Sequence, residues 1–191
     1  MAGSGQTLTA LGSYWKGRKP LVLNRACILG ALLPATPDTK KDLEIFELLM
    51  GMDNSSLRKR LQIEESDILP ALPYREMASK ASRAEEIWES VHTHIWDAVN
   101  GHLGTRARNY AQLVEQLGIM RFGRRPRVAD TFSGSGQIPF EAARLGCDTF
   151  ASDLNPIACM LTWGAFNIVG ATEQKRSEID KQQRLLVAKV K

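Results

Sequence analysis

Cysteine is scarce in this 191-residue chain, and the three present, Cys27, Cys147 and Cys159, are far apart and odd in number. No C-x-x-C pair occurs, which excludes a zinc ribbon and a disulfide framework within these residues. Histidine is as sparse. His92 and His94 stand two apart, toward different sides of a helix, and with His102 they read as solvated side chains rather than a metal site. Long apolar runs are missing: "ACILGALL" at 26–33 is far short of a bilayer span. The amino end has no basic stretch leading into an apolar core, so no signal peptide is read and a cytoplasmic location is expected. Neither an internal repeat nor a low-complexity tract is found. Charge of one sign is in small excess only. Lys and Arg number 25 against 21 Asp and Glu, a net +4 that permits a nucleic-acid partner without requiring one.

What is present is a globular composition, 43% hydrophobic and 24% charged, long enough for one ordinary domain or a domain with a helical extension. Over the first 120 residues the pattern is mainly helical. Pro20 suits a first helical turn, and "LVLNRACILGALL" runs on to Pro34. Asp38 is placed to cap a second helix with Leu43, Phe46, Leu49 and Met50 at helical spacing and Gly51 as terminator. The stretch from Asn54 to Glu76 contains two prolines and reads as loop or short turns. Ser82 and Glu85 form a capping-box pattern for a helix carrying Ile87, Trp88, Val91, Ile95 and Val99 and ending near Asn100-Gly101. Thr105 then opens a helix with Tyr110, Leu113, Val114 and Leu117 on its apolar side and Gly118 after it.

From Arg127 the pattern changes. "RVADTF" is a β-type run, "IPFEAARLG" a short helix, "CDTFASD" a second strand and "NPIACMLTWGAFNIVG" a buried helix with Pro156 in its first turn. The tail from Glu173 is helical by propensity. The expected organisation is a mainly helical region over 1–120, then the start of an α/β domain over 121–191.

Strand, glycine turn, helix and second strand make one half of a nucleotide-binding α/β unit. Gly134 and Gly136 let the backbone turn tightly and approach a ligand, and the following helix directs N–H groups back at it. Asp153 stands 23 residues after Asp130, at the end of the second strand, where a carboxylate accepts ribose hydroxyls. A dinucleotide site wants Gly or Ala where Pro139 stands, and Asp130 would meet its phosphates unfavourably, so a nicotinamide-dependent oxidoreductase is disfavoured. S-adenosylmethionine, with an ammonium and a sulfonium to lie by Asp130 and a ribose to lie by Asp153, suits the two acids better.

"DTFSGSG" is similar to the first motif of amino-group DNA methyltransferases, Asp-Pro-Phe-x-Gly-x-Gly, departing at Thr131. With "YWKGRKPL" and "RACILGALLP", most of residues 14–170, and 119–170 most strongly, resemble the amino-terminal part of large prokaryotic adenine-specific DNA methylases that carry a zinc ribbon further on and a domain of unknown function at the amino end. The resemblance implies a Rossmann-like methyltransferase domain, incomplete here. By it, Asp130, Phe132, Gly134 and Gly136 would hold the methionine end of S-adenosylmethionine and Asp153 the ribose, while Asn155 and Pro156 would shape the adenine pocket. Trp15, Arg18 and Lys19 would line the same site, and DNA would be the partner of the complete enzyme.

Methyl transfer to an exocyclic amine also needs a group that accepts the amine's hydrogens and an aromatic ring that stacks on a flipped base, supplied by an Asp/Asn-Pro-Pro-Tyr/Phe pattern. No such pattern occurs; "LPALPYRE" lacks the acid or amide and precedes the donor motif. No catalytic residue is therefore assigned. The chain reads as a donor-binding amino-terminal piece, completed by a carboxy-terminal portion or subunit. The alternatives are a fragment of an RNA base methyltransferase and a non-catalytic protein that binds S-adenosylmethionine or a partner. Arg121, Arg124, Arg125 and Arg127 offer phosphate contacts.

Overall fold

A computed structural model describes residues 15–17, 19–63, 73–84 and 94–190. These gather into two compact units: residues 21–126 with 144–148, and the described part of 1–20 with 127–143 and 149–190. Together they form a helix-rich α/β chain with one two-stranded parallel sheet among the described residues.

The first unit is helical. Helix α1 spans Leu21–Leu32 and α2 Thr39–Met50. Asp38 caps α2 by accepting from Lys41 N–H at 3.0 Å, and Gly51 closes it in the left-handed conformation. The buried side of α2 is Ile45, Leu49 and Met50 rather than the expected Leu43 and Phe46, because Leu43 turns out to water. Helix α3, Asn54–Leu61, occupies part of the expected loop. Its polar sequence hides it, but the Asp53 carboxylate takes the N–H groups of Ser55 and Ser56 at 3.0 Å each and starts the turn. A short helix α4, Tyr74–Lys80, follows Pro73.

The helix expected from Ser82 lies largely outside the described residues. Ile95 and Val99 of its stripe are buried, and α5 spans Trp96–Leu103. It continues past Asn100-Gly101 because the Asn100 side chain holds the next loop: it accepts from Thr105 Oγ1 and Ala107 N–H and donates to Ala107 O, each at 2.8 Å. Thr105 is thereby part of that loop, and Asn109 caps α6 instead, through Gln112 N–H at 2.9 Å. Helix α6, Tyr110–Phe122, also runs past its expected end. Gly118 sits inside it because a Cβ there would stand 2.3 Å from the Pro126 ring. Small size, not chain reversal, is what position 118 requires.

Of the histidines expected to be solvated, His94 is exposed and His102 is half-buried, and both meet an aspartate. His102 Nε2 meets Asp42 Oδ1 at 2.6 Å, and His94 Nε2 meets Asp53 Oδ1 at 3.2 Å. Each braces the cap or first turn of a helix. His92 lies outside the described residues.

Strand β1 is Arg127–Asp130, helix α7 Gln137–Leu145, strand β2 Asp148–Ala151 and helix α8 Pro156–Gly164; all lie in the second unit except residues 144–148, which count with the first. A π-helical turn, Ala165–Val169, extends α8, and α9 spans Glu173–Val190. Both strands are shorter than expected. Asp130 ends β1 by turning its carboxylate onto Phe132 N–H at 3.1 Å, an Asx-type turn. Asp148 N–H donates to Pro126 O at 2.9 Å and Ser152 N–H to Asp130 O at 3.0 Å, a constant offset that defines a parallel pair. No helix among the described residues is long and apolar enough to cross a membrane.

Candidate functional site

The two loops that leave the carboxyl ends of β1 and β2 come together. Ser133 N–H donates to Ser152 O at 3.0 Å, and Gly134 N–H donates to Asp153 Oδ2 at 2.8 Å. The other carboxylate oxygen, Oδ1, accepts from Asn155 N–H at 2.9 Å. The Asn155 N–H, then the Gly134 N–H, hold the Asp153 carboxyl below the usual carboxylate range, so it is an anion at neutral pH. Asp130 stands half-buried at the end of β1. Both acids predicted from the sequence therefore flank one glycine turn.

The turn is built by conformation and by space. Gly134 and Gly136 have φ of +51° and +74°, the left-handed region that side chains resist. Gly136 N–H closes the turn onto Ser133 O at 2.7 Å, and Phe140 N–H joins Gly136 O at 2.9 Å as α7 begins. A Cβ on Gly136 would stand 2.6 Å from Thr162 Oγ1. That glycine is required for packing against α8 rather than for ligand approach, a role the motif alone does not reveal. At Gly134 the nearest neighbour is the Trp15 indole, whose Nε1 would be 3.4 Å from such a Cβ. Trp15 is thus brought to the turn, Lys19 is exposed, and Arg18 lies outside the described residues.

Asn155 caps α8, its Oδ1 accepting from Ile157 N–H at 3.0 Å, with Pro156 in the first turn as expected. Phe132 is 78% exposed beside Asp130, and Leu154, which the sequence reading passed over, is 92% exposed beside Asp153. An apolar residue directly after the second acid is the signal that would have found it. Among the described residues no group of three metal-ligating side chains occurs.

What the arrangement offers chemically is acceptor capacity on two carboxylates beside a glycine turn. A carboxylate offers about four acceptor positions; on Asp153 the N–H groups of Gly134 and Asn155 are bonded and that of Leu154 also acts on it. Asp130 keeps an oxygen beyond the one bonded to Phe132 N–H. Two apolar side chains stand in water next to these acids.

Two of the four arginines expected at phosphates are engaged within the protein. Arg121 donates from Nη1 to Ala31 O and Leu32 O at 2.8 Å, covering the carboxyl end of α1, and Arg125 pairs with Glu115 at 3.0 Å. Arg124 and Arg127 are exposed. A shallow groove along α9, lined by Asp180, Gln183, Arg184, Val187 and Ala188, follows one side of a single helix and gathers no converging polar groups.

A family model described as a protein of unknown function (DUF1156) matches residues 1–49. The match spans the "WKGRKP" stretch, α1 and nearly all of α2, and stops well before the glycine turn. No curated protein and no solved structure matches the chain.

Proposed function

We propose that residues 127–156 bind S-adenosylmethionine and that the chain is the donor-binding part of a Rossmann-like methyltransferase acting on the exocyclic amine of adenine in DNA. The observation that carries the reading is the Gly134 N–H to Asp153 carboxylate bond, which makes the glycine turn and the second acid one site. Asp130 would meet the ammonium and sulfonium end, with Phe132 and the Gly134–Gly136 turn around it. Asp153 would take the ribose hydroxyls, with Asn155 and Leu154 beside the adenine and Trp15 on the far side of the turn. The bound donor would supply an electrophilic methyl group. Adenine and DNA as the destination rest on the motif resemblance alone.

The 191 residues contain no Asp/Asn-Pro-Pro-Tyr pattern. Residues 1–191 by themselves are accordingly proposed to hold the donor without transferring its methyl group. Calorimetric titration with S-adenosylhomocysteine and, separately, with NAD tests the assignment. Binding of the first and not the second is expected; binding of NAD alone would replace the methyl-donor site by a dinucleotide site.

A further inference from the structure

The glycine turn carries two hydroxyl groups that it does not use. Ser133, which opens the turn, is 7% exposed, and Thr162 on α8 is 5% exposed. Both main-chain groups of Ser133 are engaged: its N–H donates to Ser152 O at 3.0 Å, and its carbonyl accepts from Gly136 N–H at 2.7 Å. Its Oγ is buried and has no hydrogen-bond partner among the described residues. Thr162 Oγ1 is in the same condition. It stands directly against the turn, 2.6 Å from where a Cβ on Gly136 would lie.

Local chemistry offers each hydroxyl a simpler fate. A threonine inside a helix ordinarily returns its hydroxyl to the carbonyl four residues earlier, and a serine in a turn ordinarily bonds the main chain beside it. A buried hydroxyl left unbonded destabilises the fold, and native proteins keep few such groups. Valine at 162 and alanine at 133 would keep nearly the same shape and bury no polar atom. Local rules are broken in this way chiefly at functional sites, where stability is given up for activity. Both orphans lie at the turn that already carries the candidate ligand site.

We propose that Ser133 and Thr162 are positioning residues for the ligand of the glycine turn. Their hydroxyls bond the turn's main chain when S-adenosylmethionine occupies the site and are unbonded when it does not. The inference rests on the donor-site reading above. A hydroxyl rotates and can either donate or accept, so it can serve a carbonyl or an N–H that the turn brings to it. Gly134 and Gly136 give the turn the freedom to shift. Bonds made only in the occupied form favour that form, and so raise affinity without touching the ligand.

Thr162→Val, Thr162→Ser and Ser133→Ala are compared with the unaltered chain in two measurements: thermal melting without ligand, and calorimetric titration with S-adenosylhomocysteine. Free Thr162→Val and Ser133→Ala should melt no lower than the unaltered chain, and up to about 2–4 °C higher. Both should bind S-adenosylhomocysteine about fivefold or more weakly. Thr162→Ser keeps the hydroxyl and should bind like the unaltered chain. A side chain that only packs would not lose affinity while holding or gaining stability. A lower melting temperature or an unchanged affinity in Thr162→Val or Ser133→Ala overturns the proposal, as does weakened binding in Thr162→Ser. Failure of the unaltered chain to bind S-adenosylhomocysteine sinks the donor site itself, and this inference with it.

Discussion

The Gly134 N–H and the Asp153 carboxylate, 19 residues apart in the chain, are joined by a hydrogen bond of 2.8 Å. With the Ser133 N–H to Ser152 O bond beside it, the contact ties together the loops that follow the two strands. Asp153 therefore has a structural task in holding the turn, whatever else its carboxylate does.

Two mid-helix glycines should respond oppositely to alanine. At Gly30, in α1, an added Cβ meets nothing within 4 Å, so Gly30→Ala should stabilise by about 0.5–1 kcal/mol through helix propensity. At Gly118 the same methyl would lie 2.3 Å from Pro126 Cδ and 2.7 Å from Arg124 O. Gly118→Ala should destabilise by about 1–3 kcal/mol through overpacking. Thermal melts of the two variants decide it; equal shifts in the same direction would refute the packing account of position 118.

Much of the second unit was legible because each element carries its own boundary signal. Asp130, the two glycines, Asn155 and Pro156 mark turns and caps by local chemistry, and all five stand where their residue types place them. The misreadings arose where a distant partner decides. Nothing local to Gly118 announces the Pro126 ring, and nothing local to Asn100 shows that it will hold residues 105–107 and so carry α5 beyond Gly101. His102 read as a surface group because the aspartate that engages it lies 60 residues away; His94 is exposed as expected, though it too meets an aspartate, 41 residues away. Leu154 escaped notice as a site neighbour because exposure is a three-dimensional property, whereas Trp15, expected at the site, does stand against the turn.

Acid should destabilise the protein through Asp42 and Asp53. The Thr36 N–H, then His102, holds Asp42 below the ordinary carboxylate range. For Asp53, burial is the largest influence and pushes upward, but the Ser56 hydroxyl, the Ser56 N–H and His94 outweigh it and hold the group low. Groups lowered on folding stabilise the native state above their unfolded pKa, near 4, and that contribution disappears as pH falls through and below it. Melting temperature should be flat from pH 7 to 5 and drop toward pH 3, with a shallower drop in Asp53→Asn. An unchanged melting temperature at pH 3 would contradict the assignment.

The three thiols should separate by reactivity. Cys27 and Cys159 are exposed, whereas Cys147 is buried and burial pushes its pKa up to about 11. At pH 8 the Cys147 thiol is neutral and shielded, and only the thiolate attacks an alkylating agent. Iodoacetamide followed by peptide mass mapping should modify Cys27 and Cys159 well before Cys147 in the native protein, and all three at similar rates in denaturant. Early native-state labelling of Cys147 would show that its pocket is open.

The central claim is that one glycine turn and two acids form a site for S-adenosylmethionine, and calorimetric titration of the chain with S-adenosylhomocysteine, beside Asp153→Asn and Asp153→Ala, tests it most directly. Asp153→Asn keeps a side-chain oxygen for the Gly134 N–H while removing the charge; Asp153→Ala removes both. The predicted result is one-site binding that weakens in Asp153→Asn and weakens further, about tenfold or more overall, in Asp153→Ala, with all three proteins folded by circular dichroism. A folded chain that binds no S-adenosylhomocysteine, or binds it equally well in all three forms, would contradict the account.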